Sequence, residues 1–93
     1  MLENQPLETL SALPNIGSAL AEKLASVGIY NYEELVRLGS VKVAMKIRDG
    51  LDPGACYNML YALEGAIRGV RWHTIPKEER NHLKREFDHI AGH

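Results

Sequence analysis

The sequence lacks most of the features that identify an enzyme, a secreted protein or a membrane protein. Its 93 residues include one cysteine, so no disulfide can form within the chain. No apolar run reaches the length of a membrane span, and the N-terminal residues have neither the basic segment nor the apolar core of a signal peptide. There is no P-loop, no Cys-x-x-Cys pair and no His-Glu-x-x-His motif. We therefore expect a cytoplasmic, non-catalytic protein that needs no cofactor and no membrane.

An excess of charge of one sign is also missing. The 11 basic and 12 acidic residues give a formal net charge of −1. Tight nonspecific binding of a polyanion depends largely on cationic charge, so the composition argues against it as the main task. The distribution is uneven, since residues 1–65 carry five basic and eight acidic groups, and residues 66–93 carry six and four. Any nucleic-acid contact is therefore expected to be weak.

What the sequence does contain is helical periodicity throughout. Hydrophobic residues make up 45% of the chain and recur at spacings of three and four, which predicts an all-α fold. The length suits one hydrophobic core. We predict a compact single domain, residues 1–93, of five to six helices.

Local start and stop signals divide this pattern into helices. Asn31 is placed to cap a helix, Ser40 to cap the next, and Asp52-Pro53 is a strong helix start. The longest and most apolar helix is predicted over residues 53–70, at the centre of the core, with Cys56 as a small core residue rather than a reactive thiol. A C-terminal amphipathic helix is predicted over residues 76–91, with an apolar face formed by Leu83, Phe87 and Ile90.

Residues 10–29 have the pattern of two short helices joined by a tight turn. Pro14 stops the first helix because it removes a backbone donor and restricts the residue before it. Ile16 fills the turn, and Gly17 is predicted to adopt a conformation that a side chain would penalise. Asn15, which tolerates left-handed backbone, occupies the position before Ile16. This segment resembles a helix-hairpin-helix motif.

The resemblance implies a phosphate site on the hairpin. Backbone amides near the start of the second helix have no intrahelical acceptor, and the helix dipole adds partial positive charge there. An equally open alternative is that the hairpin only packs two helices together. In the nucleic-acid hypothesis, the contacting residues are those of the turn, one lysine on the second helix and four basic residues nearer the C-terminus: Asn15, Ile16, Gly17, Ser18, Ala19, Lys23, Arg68, Arg71, Lys77 and Arg80.

Two further features allow alternative interpretations. Trp72 is either a recognition aromatic that stacks on a base or fills a partner's pocket, or a residue that closes the core, which we favour. His82, Glu86 and His89 share one face of the last helix, and two histidines with a carboxylate can hold a divalent metal. The neighbouring charged residues are typical of an ordinary solvated helix, so we predict no metal site.

Three segments together resemble the C-terminal domain of the TfoX (Sxy) family of bacterial competence regulators. They are Leu-Pro-Asn-Ile-Gly-Ser-Ala-Leu-Ala-Glu-Lys-Leu-Ala-Ser-Val-Gly-Ile at 13–29, Leu-Val-Arg-Leu-Gly-Ser-Val-Lys-Val-Ala at 35–44, and Asn-Met-Leu-Tyr-Ala-Leu-Glu-Gly-Ala-Ile-Arg-Gly-Val-Arg-Trp at 58–72. The last is the most specific, through its Leu-Tyr-Ala-Leu-Glu-Gly core followed by Gly and Trp.

This resemblance implies a helical domain of helix-hairpin-helix type that takes part in regulating DNA-uptake genes. TfoX-like proteins cooperate with the cyclic-AMP receptor protein at promoters, so it also implies DNA or a transcription-regulator protein as partner. Two functions stay open. The chain is either a regulatory module with nucleic-acid contacts, or a purely protein–protein interaction domain with a structural hairpin.

Overall fold

The computed structural model describes residues 10–50 and 57–90, and within them the fold is entirely helical. Five α-helices follow one another: α1 (Ser18–Ser26), α2 (Tyr32–Leu38), α3 (Ser40–Gly50), α4 (Tyr57–Arg68) and α5 (Lys77–Ile90), with a 3-10 turn at Trp72–Thr74 between α4 and α5. Residues 10 and 11 are also helical. The all-α prediction is confirmed. The start at Pro53 and Cys56 lie outside the described residues, as does the part before residue 10 of the helix predicted to end at Pro14.

The core lies where α3 and α4 pack against each other, with α5 across both and α1 and α2 at the edges. Leu60, Leu63 and Ala66 on α4 are fully buried, as are Val43 and Ile47 on α3. The described part of α4 therefore occupies the central place that its broad apolar face predicts. No helix in the described ranges is both long and apolar enough to cross a membrane.

The helix ends follow the local signals closely. Asn31 caps α2, since its Oδ1 accepts a hydrogen bond from the Glu34 amide at 2.9 Å. Helix α4 ends in a Schellman motif, in which the Gly69 and Val70 amides donate to the carbonyls of Ala66 and Gly65. Gly69 has φ +77°, which a side chain would penalise. Helix α4 therefore stops at Arg68, two residues before the predicted end.

Three details differ from the sequence prediction. Ser40 does not cap α3; it is the buried first residue of the helix, and its hydroxyl donates to Glu64 Oε1 at 2.7 Å. Gly39 provides the first acceptor instead, through its carbonyl to the Val43 amide. Ile90 is 53% exposed, because α5 extends past the core that buries Leu83 and Phe87.

The third difference concerns the hairpin turn. Gly17 has extended backbone, φ −91°, as the residue that precedes α1, and a Cβ there would meet no atom within 4 Å. Asn15 instead takes the left-handed conformation, with φ +70°. The prediction that Gly17 needs the freedom of a glycine is therefore wrong, because the chain reverses two residues earlier, at a residue type that also tolerates positive φ.

Candidate nucleic-acid interface at the hairpin corner

The hairpin turn is attached to the C-terminal end of α4 by one side chain, Asn15. Its Nδ2 donates to the Val70 carbonyl at 2.8 Å and to the Ala62 carbonyl at 3.4 Å. Its Oδ1 accepts a hydrogen bond from the Trp72 amide at 3.1 Å. One amide group thus bridges segments 47 to 57 residues apart in sequence. We call this arrangement the Asn15 clasp.

Gly65 makes the Asn15 clasp possible. A Cβ on Gly65 would lie 2.5 Å from Asn15 Nδ2, 2.7 Å from the Val70 carbonyl oxygen and 3.1 Å from the Trp72 Cα. A glycine inside a helix costs about 1 kcal/mol relative to alanine. Here the missing side chain lets the turn and the segment after α4 approach the helix backbone closely. The glycine is therefore explained by packing.

The clasp sets the positions of the turn and of Arg71 relative to each other. Arg71 lies between Val70 and Trp72, the two residues whose backbone groups bond to Asn15. Its carbonyl accepts hydrogen bonds from the Thr74 amide at 3.0 Å and the Thr74 hydroxyl at 2.7 Å. The Arg71 side chain is exposed. The backbone of Arg71 is thus held next to the hairpin although 56 residues of sequence separate Arg71 from Asn15.

At the hairpin itself, Gly17, Ser18 and Ala19 are exposed. Their amides precede the point at which α1 begins to supply acceptors, since the first such bond runs from the Ala21 amide to the Gly17 carbonyl at 3.0 Å. Ile16 differs, because it is buried and its amide donates to the Leu13 carbonyl at 3.3 Å. Lys23 on α1 is half-buried. Gly17, Ser18 and Ala19 therefore remain as candidate backbone donors of the turn, and Ile16 does not.

The basic residues of the predicted interface fall into two groups. Arg68 is held by two carboxylates, since its Nε donates to Glu64 at 2.8 Å and its Nη1 donates to Glu79. These hydrogen bonds raise the pKa of Arg68, and the bond to Glu64 has a larger effect than the bond to Glu79. Arg71 and Lys77 are exposed and form no ion pair with any described residue.

Arg80 lies against aromatic rings. Its Cζ is 5.6 Å from the centroid of the Trp72 ring and 5.9 Å from that of Tyr61. Its Nε is buried, with no hydrogen-bond partner among the described residues. Cation–π contacts of this kind stabilise the fold when the guanidinium is partly desolvated. Arg68 and Arg80 therefore have structural partners, whereas Arg71 and Lys77 face solvent.

Trp72 is half-buried and lies beside the core cluster. Its ring stacks on that of His73, with centroids 4.1 Å apart and planes 25° apart, and contacts Tyr61 at 5.6 Å. Tyr61 in turn packs on the buried core. His73, which was not among the candidate residues predicted from the sequence, is exposed and covers one side of the tryptophan. Its position directly after Trp72 was the only signal for it.

The outer face of α5 is a different kind of polar cluster. His82 Nε2 lies 3.9 Å from Glu86 Oε1, and the two side chains are 67% and 52% exposed. With Arg85, His89 and Ile90 they line a shallow, open cleft. Within the described ranges, no three His, Cys, Asp or Glu side chains come together in a way that suits a metal ion.

We call the hairpin turn together with residues 70–73 the hairpin corner. The fold and this corner define a small all-α domain, whose hairpin turn is held to the central helix by an asparagine. Its sequence matches the TfoX C-terminal domain over residues 7–87. The chain therefore belongs to the TfoX C-terminal domain family, a family of competence-related regulator domains. Two of the segments that carry the family resemblance, 13–29 and 58–72, meet at the Asn15 clasp.

Solved structures agree with this assignment. An uncharacterized protein from Listeria monocytogenes, in a triclinic crystal form, is 39% identical, with a TM-score of 0.82 over 90% of this chain and 94% of that chain. A protein of unknown function from Listeria monocytogenes, in a tetragonal form, is 36% identical, with a TM-score of 0.77 over 90% of this chain and 98% of that one. No curated protein matches the sequence.

Proposed function

We propose that the chain is a non-catalytic regulatory module, a TfoX-like regulator of genes for DNA uptake, which contacts the phosphate backbone of DNA at the hairpin corner. The observation that carries the proposal is the Asn15 clasp, because it holds the backbone of exposed Arg71 beside a turn in which Gly17, Ser18 and Ala19 are exposed. Backbone amides at a helix start and a nearby guanidinium are both good phosphate ligands. Family membership supports the regulatory role.

The predicted residues contribute unequally to this proposal. The amides of Gly17, Ser18 and Ala19 and the side chains of Arg71 and Lys77 supply the contacts. Lys23 adds charge from α1. Asn15, Ile16, Arg68 and Arg80 position these groups, because their polar atoms or apolar surfaces are used within the fold. Few phosphates are engaged, so binding is expected to be weak and strongly dependent on salt.

A titration of fluorescently labelled 20-base-pair duplex DNA with the protein tests the proposal. At low salt we expect a dissociation constant in the range of about 1 to 100 µM, which weakens with salt with a logarithmic slope of about −2 to −3. Arg71→Glu and Lys77→Glu should each reduce affinity at least about fivefold through lost attraction and added repulsion. Lys23→Glu should give a smaller loss.

Lys42→Glu is the matched control. Lys42 is exposed and lines a cleft beside Ile90, at the opposite end of α5 from Lys77, and its reversal changes the net charge equally. If Lys42→Glu weakens binding as much as Arg71→Glu does, the contact depends on overall charge and the corner has no special role. The absence of any binding at low salt would also contradict the proposal.

The alternative is a domain that contacts only protein, with a structural hairpin. The observation that favours it is a group of exposed hydrophobic side chains around α2, namely Tyr30 at 47%, Tyr32 at 40% and Val36 at 44% exposure. Tyr32 and Val36 are one helical turn apart and so share a face. The family resemblance suggests a transcription regulator such as the cyclic-AMP receptor protein as partner.

The two candidate functions separate in a binding experiment with purified cyclic-AMP receptor protein. If contact is through α2, Val36→Glu abolishes binding to the regulator and Arg71→Glu leaves it unchanged. If the hairpin corner functions through DNA, Val36→Glu leaves DNA affinity unchanged and Arg71→Glu reduces it. If Val36→Glu loses binding to the regulator and the native protein binds no DNA, the protein-interaction function is supported instead of the DNA function.

A further inference from the structure

The corner also presents an aromatic ring to solvent. We call the group of Tyr61, Trp72, His73 and Arg80 the aromatic stack. The Trp72 ring contacts the other three, with His73 parallel to it at 4.1 Å and Arg80 Cζ 5.6 Å from its centroid. Trp72 is therefore already covered, and His73, which is exposed, forms the outer layer.

The backbone that carries His73 is fixed on both sides. On one side, the Trp72 amide donates to Asn15 Oδ1 at 3.1 Å. On the other, the Thr74 amide and hydroxyl bond to the Arg71 carbonyl, and Ile75 is 2% exposed. The ring itself is held by its contact with Trp72. A planar ligand that stacks on His73 would therefore find a preorganised surface, which reduces the entropy lost on binding.

The charge around the stack favours an anionic planar ligand. Residues 68–80 include four basic residues and two acidic ones, in a chain whose formal net charge is −1. One acidic residue, Glu79, is paired with Arg68, and exposed Arg71 and Lys77 lie on either side of His73 in sequence. Nucleic acids combine planar bases with phosphates. Duplex DNA keeps its base faces stacked inside, whereas single strands expose them.

We propose that the hairpin corner binds single-stranded DNA, with one base stacked on the His73 ring and the adjoining phosphates near Arg71 and the hairpin amides. This inference rests on the proposed function, to which it adds a base as a second recognised group. Stacking on an aromatic residue does not read sequence, because every base has a π-face. The corner is therefore selective for unpaired strands without preferring a particular sequence.

Trp72 is the only tryptophan in the chain, so its fluorescence reports directly on the stack. Titration with a 12-nucleotide thymidine strand should change Trp72 emission and give tighter binding than a 12-base-pair duplex or a 12-nucleotide abasic strand. His73→Ala should reduce affinity for the thymidine strand about tenfold, since a stacked base contributes strongly to binding. His73→Phe, which keeps a planar ring, should retain affinity within about twofold.

His89→Ala is the matched control, because His89 is an exposed histidine near the other end of α5 and should leave affinity unchanged. Circular dichroism of each variant shows that it is folded. The inference is overturned if the abasic strand binds as tightly as the thymidine strand, or if His73→Ala binds as the native protein does. In that case the proposed phosphate contact at the hairpin corner is still supported if Arg71→Glu weakens binding to both strands. If no nucleic acid binds at all, both this inference and the proposed contact with DNA are wrong.

Discussion

The Asn15 clasp and the outer face of α5 are both sites of polar contact, but only the clasp connects distant parts of the chain. In the clasp, one amide bonds to three backbone groups from segments about 50 residues away. On α5, His82 and Glu86 lie one turn apart, 3.9 Å from each other and more than half exposed. Residues one helical turn apart are neighbours in any helix, so their proximity says little about function. Polar contacts over long sequence separations require the tertiary fold and therefore report on it.

The largest expected effect comes from filling the space at Gly65. Gly65→Ala places a Cβ 2.7 Å from the Val70 carbonyl oxygen and 2.5 Å from Asn15 Nδ2. We expect the free energy of unfolding, measured by urea denaturation, to fall by about 3 kcal/mol through overpacking and loss of a hydrogen bond.

Gly17→Ala makes the same change at a glycine of the hairpin turn and serves as the control. A Cβ there meets no atom within 4 Å and the backbone is extended. We expect the free energy of unfolding to fall by less than about 1 kcal/mol. The small loss arises because alanine is less favourable than glycine at the residue that precedes a helix. Equal losses for the two variants would show that Gly65 is not needed for close approach.

The next effect in size is the removal of the Asn15 amide. Asn15→Ala leaves the Trp72 amide and the Val70 carbonyl without this partner and puts alanine at φ +70°. We expect a loss of about 2.5 kcal/mol in the free energy of unfolding. Asn15→Gly removes the same hydrogen bonds without the backbone penalty, so it should lose about 1 kcal/mol less. If both variants are as stable as the native protein, the clasp does not hold the corner together.

The smallest effect is expected on α5. Glu86→Ala removes the partner of His82 from a pair that is exposed on both sides. Exposed pairs of this kind contribute little, so the free energy of unfolding should change by less than about 0.5 kcal/mol. A loss comparable to that of Asn15→Ala would contradict the difference in stabilisation between the Asn15 clasp and the pair on α5.

Much of the fold was predictable from local signals. The Asn31 cap and the α4 stop near Gly69 depend on side-chain and backbone chemistry within a few residues. The predicted α5 range, 76–91, agrees closely with the observed Lys77–Ile90. The prediction of a cap at Ser40 was wrong because its hydroxyl donates a hydrogen bond to Glu64, 24 residues away.

The candidate site was predictable only in outline. The hairpin and the basic residues near the C-terminus were recognised, but nothing in their spacing indicated that Asn15 joins them. From the sequence, Asn15 was noted only as a residue that tolerates left-handed backbone, and the glycines of the long helix indicated only close contact with another helix. The roles of Asn15 and Gly65 emerge only together, because the glycine makes room for the amide. His73 was missed because its importance comes from its contact with Trp72.

By itself the sequence determined the helical class, the positions of most helix ends, the amphipathic faces and the family, because these depend on periodicity and on chemistry within one or two turns. The tertiary structure decided which residue of the turn takes positive φ, which basic groups are held by partners and which remain exposed. It also decided that Trp72 is covered while His73 faces solvent. The backbone of the turn depends on the Asn15 contacts, which join residues 47 to 57 positions apart. The other outcomes depend on how α4, the 3-10 turn and α5 pack, as in the contacts of Arg68 with Glu79 and of Arg80 with Tyr61.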